Sequence, residues 1–157
     1  MARTVAVIGI GQSLRGDDAV GLEAIRQWQE RYQKTATRSE VRVEACELPG
    51  LALLDLFNDA ESVILVDAVQ SGANAGFIHR LNSDDLSAFE SDSKSAHGWG
   101  VSETLELAKK VGMPLPRLRL IGIEAKEMTI GTSLSADVEN ALPNVCEMIE
   151  EEVQSLL

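Results

Sequence analysis

Positive charge, aromatic rings, cysteine and long apolar runs are all scarce in this sequence. Its 157 residues carry 14 Lys and Arg against 25 Asp and Glu, a formal net charge of −11. With no Lys/Arg cluster, that balance argues against nucleic acid or an anionic membrane surface as partner. Aromatic residues make up only 4%, too few for a base-stacking platform. The two cysteines, Cys46 and Cys146, share no CxxC or metal-finger spacing and read as reduced thiols packed as small hydrophobes. No run approaches the length that crosses a bilayer. Met1-Ala2-Arg3 leads straight into an apolar segment, leaving no room for the apolar stretch of a signal peptide, so a cytoplasmic protein is expected. What is present is ordinary for a globular chain: 45% apolar and 25% charged residues, enough to bury a core without staples. With no repeat, linker or low-complexity tract, residues 1–157 read as one domain.

Residues 4–10 (TVAVIGI) form an unbroken apolar run rich in β-branched side chains, the pattern of a strand buried on both faces. A glycine loop follows over 11–18. Val20, Ala24, Ile25, Trp28 and Tyr32 then recur at helical spacing. Strand, loop and helix in that order open an α/β fold. Residues 40–46 (EVRVEAC) alternate as a second strand, with a short helix over 51–57. Residues 62–69 (SVILVDAV) predict a central strand, and 76–81 (GFIHRL) a shorter one. The brief connection between these two allows them to lie antiparallel. Residues 82–96 are polar and aperiodic and predict a surface loop with one helical turn at 84–89. A helix over 101–111, with Val101, Leu105, Ala108 and Val111 on its inner face, stops at Gly112. Residues 118–123 supply the last strand. Ser135 is placed to cap a C-terminal helix whose inner face is Val138, Leu142, Val145, Ile149, Val153 and Leu156. Pro143 predicts a kink or a restart within it. Glu147, Glu150, Glu151 and Glu152 read as its solvated face.

The loop GIGQSLRGDDAVG resembles neither of two familiar phosphate cradles. The dinucleotide fingerprint needs a third glycine where Leu14 stands. The P-loop spacing exists between Gly11 and Gly16, but Asp17 and Asp18 replace the Lys and Ser/Thr that it requires. Two carboxylates at a helix start repel a phosphate, so the loop suits a cation or a polar peptide. One acid can be a helix cap; the second then stands out, and Asp18 is the candidate.

Asp67 lies toward the carboxyl end of the predicted central strand, the edge at which open α/β sheets bind ligands. His97, flanked by Gly98 and followed by a helix, is placed to act as ligand or base. His79, inside a strand, reads as a strand-face residue. Two carboxylates and an imidazole are ligands that a borderline divalent metal accepts, leaving a position for water or substrate. Each of the three also has an ordinary structural reading. Ser13 and Ser95 have no adjacent base, which disfavours a covalent acyl-enzyme.

GIGQSLRGDDAVG, VILVDAV and SAHGWGVSETLELA, in this order and spacing, together with the tail IGIEAKEMTIGTSLSADVENALPNV, resemble the [NiFe]-hydrogenase maturation endopeptidases over nearly the whole chain. That resemblance implies a three-layer α/β/α sandwich around a five-stranded, mostly parallel sheet. It implies an endopeptidase that removes the C-terminal extension of a hydrogenase large-subunit precursor after nickel insertion. The metal contacts it implies are Asp18, Asp67 and His97, with Asp17 as a helix-start or supporting residue. The implied cofactor is nickel supplied by the precursor, another divalent metal being compatible with the same ligands. The sequence departs from the family pattern at Gln12, where Asn is usual, at Ala19, often Gly, and over 44–50 (EACELPG), where many members carry an Asp-Gly-Gly-Thr-like run.

Two other readings use the same residues. One is a nickel-sensing assembly chaperone that docks the precursor without cutting it. The other is a two-carboxylate hydrolase of small molecules, with Asp18 and Asp67 as acid and base. Residues 82–96, hinged at Gly98 and Gly100, stay open between a substrate-ordered flap and a plain surface loop.

Overall fold

The computed structural model describes residues 4–47, 50–85 and 101–157. Five strands form one sheet: β1 (Val5–Ile10), β2 (Val41–Cys46), β3 (Ser62–Val69), β4 (Ile78–Asn82) and β5 (Arg117–Glu124). Their order is β2-β1-β3-β5-β4, with every pair parallel except β4 against β5. The helices are α1 (Val20–Arg31), α2 (Gln33–Ala36), α3 (Leu51–Asp55), α4 (Val101–Lys110) and α5 (Ala136–Leu156).

Strand alternation divides the core into two layers. Val5 and Val7 of β1 and Ile64, Val66 and Ala68 of β3 meet α1 and α5 on one face. Ala6, Ile8, Ile10, Val63 and Leu65 meet α3 and α4 on the other. The expected three-layer α/β/α sandwich is therefore what forms. Both β1 and β3 are buried along their whole length, as continuous apolar strands of a doubly covered sheet must be.

Three details differ from the expectations. β4 is antiparallel, but it pairs with β5 alone, because β5 enters between it and β3. α5 runs through Pro143 as one helix, so of the kink and the restart expected there the restart does not occur. Val111 lies just past α4 and is 67% exposed, whereas Val101, Thr104, Leu105 and Ala108 form that helix's buried face. The helical turn expected at 84–89 begins at Ser83, with Asp84 and Asp85 following. Its remainder, residues 86–96 of the suggested flap and both of its glycine hinges lie outside the described residues, while Asn82 still belongs to β4.

The acidic stretch of α5 is not uniformly solvated. Glu147 and Glu151 are exposed, but Glu152 is buried, accepting from Arg80 Nε at 2.6 Å and facing Arg119 Nε at 3.4 Å. Glu150 accepts from Trp28 Nε1 at 3.1 Å and from Thr35 Oγ1 at 2.7 Å. These two acids fasten α5 to the sheet edge and to α1. Both cysteines are buried and outside any disulfide, as expected; burial pushes the Cys146 thiol's pKa up and keeps it unreactive.

The packing of α1 on β1 depends on glycine, though not on the fingerprint position. A Cβ on Gly9 meets Gly21 O at 2.6 Å, and one on Gly21 meets Val66 O at 2.2 Å and Ile10 O at 2.4 Å. Gly21, seven residues beyond Leu14, thus supplies the close helix–strand approach that a third fingerprint glycine would otherwise provide. This contact seats the start of α1 on the carboxyl ends of β1 and β3.

Candidate active site

β1 leads outward to β2 on one side of the sheet, and β3 leads to β5 and β4 on the other. The gap between the carboxyl ends of β1 and β3 is therefore the topological switch point, where open α/β sheets place their ligands. Pairing between these strands ends at Gly9 and Val66. Asp67 is the next residue, 5% exposed, and continues to pair with Gly122 of β5. Alternation puts it on the same face as Val63 and Leu65, the face covered by α3 and α4. The strand runs two residues past Asp67 to Val69, so the acid sits within β3 rather than at its last residue.

Asp18 lies in a single 3₁₀ turn, Gly16–Ala19, between the glycine loop and α1. This turn packs against β3, which brings Asp18 and Asp67 to one edge of the sheet. Asp18 is fully buried, and its Oδ2 accepts from the Gln12 N–H at 3.2 Å. Its backbone carbonyl lies where a Cβ on Gly11 would sit, 2.0 Å away, so only glycine lets the loop close on itself there.

Asp17 does something else. It lies in the first turn but caps neither that turn nor α1, and of the helix-start and supporting roles the resemblance implied, the supporting one is what its bonds describe. Its buried carboxylate instead accepts from Lys126 N at 2.8 Å, Glu127 N at 3.1 Å, Ser135 N at 2.7 Å and Ser135 Oγ at 2.9 Å. Backbone bonds run alongside, from Gly16 N to Thr132 O, Asp17 N to Glu127 O and Gly131 N to Leu14 O. The glycine loop is thus laced to the 125–135 segment, and Asp17 steadies Ser135, the N-cap of α5, whose hydroxyl accepts from Val138 N.

A sequence model of the hydrogenase maturation protease family matches residues 24–152. The chain belongs to that family. It is 31% identical over 125 residues to the hydrogenase expression/formation protein HupD of Rhodobacter capsulatus, an alignment covering 79% of this chain and 58% of that protein. The chain thus spans less than two thirds of that relative. It is 26% identical over 152 residues to the hydrogenase 2 maturation protease of Escherichia coli, covering 94% and 91% of the two chains. The solved structure of the E. coli hydrogenase maturating endopeptidase HybD superposes with a TM-score of 0.80 at 20% identity, over 97% of this chain and 93% of that one; that likeness is one of fold.

In this member of the hydrogenase maturation proteases, Asp67 and His97 fall inside the matched residues and Asp18 just before them. His97 lies outside the described residues. Among the described residues no group of three His, Cys, Asp or Glu is arranged to hold a metal ion. Two buried carboxylates at one edge are nonetheless hard oxygen donors of the kind a divalent cation accepts.

A second polar cluster escaped the sequence reading. Glu124, 2% exposed at the end of β5, accepts from Ser71 N at 2.7 Å, Gly72 N at 3.0 Å, Ser71 Oγ at 2.8 Å and His79 Nε2 at 3.0 Å. His79 is therefore a partner of Glu124 as well as a strand-face residue. Ser71 and Glu124 both approach the same ring nitrogen, so this is no nucleophile–base–acid relay, which needs both nitrogens. It is a staple for the turn after β3.

Burial raises the Glu124 pKa, but the bonds from His79, Ser71 and Gly72 outweigh it, and the net direction is below the ordinary value of 4.5. A depressed folded-state value stabilises the fold fully above that ordinary value. The contribution is lost as pH falls through the folded one. Glu124→Gln is expected to lower stability at neutral pH by about 1–3 kcal/mol and to flatten the acid side of the stability profile. Urea unfolding at stepped pH reads both, and an unchanged acid limb contradicts the assignment.

Proposed function

We propose that this chain is an endopeptidase that removes the C-terminal extension of a [NiFe]-hydrogenase large-subunit precursor after nickel insertion. One observation carries the reading: in a chain of the hydrogenase maturation protease family, Asp18 and Asp67 are both buried, one in the turn after β1 that packs against β3 and the other just past the last β1–β3 pair. In this reading nickel arrives as part of the substrate, held by the precursor, and Asp18, Asp67 and His97 contact it; another divalent metal suits the same donors. A cation there polarises a scissile carbonyl or lowers the pKa of bound water. α4 begins at Val101, four residues after His97, and covers the face toward which Asp67 alternates. That placement favours joining His97 to the pair. Asp17 holds no metal in this scheme; it fixes the loop that presents Asp18.

The working compartment proposed is the cytoplasm, where a precursor is processed before assembly. Among the described residues no helix is long and apolar enough to cross a membrane. The test is direct. Purified protein mixed with nickel-loaded precursor should release the tail peptide, read by mass, and metal-free precursor should stay intact. A stable complex whose tail remains uncut would replace the endopeptidase by an assembly chaperone. Turnover of small esters without any precursor would favour the small-molecule hydrolase.

A further inference from the structure

A cleft of about 310 Å³ opens between the outer face of α1 and residues 132–134. We propose that it is a subsite for the precursor's polypeptide, receiving in extended form a short stretch beside the bond to be cut. The proposal rests on the endopeptidase reading and names where that substrate's chain lies.

The cleft borders the turn that carries Asp18. Gly16 and Ala19 line it, and Asp18 stands between them in the same turn. Its walls are set in advance, because the bonds that hold the 125–135 segment to the glycine loop also fix the spacing of the two sides. Gly16 N donates to Thr132 O at 3.0 Å, and Asp17 anchors Lys126, Glu127 and Ser135. Gly16 has φ +54, and a Cβ there meets Thr132 Oγ1 at 2.4 Å and Glu127 O at 2.7 Å. A side chain at that junction would push the walls apart. Such a preformed site binds without first paying for loop ordering.

The lining selects neutral peptide over an anion. Leu22 and Leu134 offer an apolar surface, and the Ser13 and Ser133 hydroxyls offer donors and acceptors suited to main-chain amides. The cation of the cleft, Arg26, is engaged by Glu23 and Glu30, so a phosphate or free carboxylate meets two acids there. Beside the cleft, Leu14 is 73% and Ile130 74% exposed, on the two segments joined by the Gly131 N to Leu14 O bond at 2.7 Å. Large apolar side chains held outward on a laced loop pair suit cover by a protein surface continuing from the bound strand.

Ser133→Trp fills the cleft from an exposed position. Lys109→Trp adds the same bulk on the exposed side of α4 and serves as control. Precursor affinity is titrated for both and for the parent protein, with tail release followed alongside. Ser133→Trp is expected to weaken precursor binding and raise KM by about tenfold while kcat stays within about twofold; Lys109→Trp should match the parent. Should Ser133→Trp fail to fold, Arg26→Trp fills the cleft from the α1 wall. Unchanged affinity in a folded, filled variant overturns the subsite. Because affinity is read apart from cleavage, a parent protein that binds precursor without cutting it overturns the endopeptidase reading and leaves the subsite to the affinity result. A parent that does not bind precursor overturns both.

Discussion

Asp18→Asn and Asp67→Asn should each lower tail release by about 10²–10³-fold or more and leave the thermal midpoint unchanged or raised. Both carboxylates are buried, Asp18 in the turn between β1 and α1 and Asp67 within β3. Burying a carboxylate costs more stability than burying a neutral amide of the same shape. The Gln12 N–H that donates to Asp18 still finds an acceptor on Asn. The loss is therefore one of charge at the reacting centre. Residues kept against their stability cost are those a reaction needs, so activity and stability should move in opposite directions. Kinetics on nickel-loaded precursor and a melting curve on the same preparations test it. Retention of full activity by either variant removes that acid from the mechanism, and a large fall in stability recasts it as a structural acid.

The parts of the fold that local pattern determines were legible. β1 and β3 announce themselves because a strand covered on both faces must be apolar throughout. α1 and α5 announce themselves because one face meets the sheet at helical period. The insertion of β5 between β3 and β4 was not legible, since strand order depends on contacts that no local window contains. The site divides in the same way. Asp18 and Asp67 stand out because each breaks an apolar or glycine context at a carboxyl end. The partners of Asp17 lie 109 to 118 residues away, and those of Glu124 45 to 53 residues back. An acid read without its donors looks like a cap or a solvated charge, which is also why Glu150 and Glu152 read as surface. Gly21 was hidden for another reason: its role is the absence of a side chain beside Ile10 and Val66.

Asp17→Ala is expected to be the more damaging change to the fold, by about 3–5 kcal/mol, although Asp17 and Asp18 are adjacent and equally buried. Removing the carboxylate leaves the N–H groups of Lys126, Glu127 and Ser135, and the Ser135 hydroxyl, without their acceptor. It also loosens the N-cap of α5, the helix that contributes Val138, Leu142, Val145 and Ile149 to the core. At about 2–4 °C per kcal/mol for a chain of this size, the midpoint should fall by roughly 6–20 °C. Asp17→Asn should fall between. One amide oxygen can take the place of Oδ2, which serves three donors, but the amide NH₂ then faces the Ser135 N–H that Oδ1 had accepted. The folded fraction of Asp17→Asn keeps Asp18 and Asp67, so its kcat should stay nearer the parent's than that of Asp18→Asn does, while its melting point drops further. Two neighbouring aspartates would then separate cleanly, one governing stability and the other turnover. Equal stability losses at the two positions would contradict the division of labour that their hydrogen bonds describe.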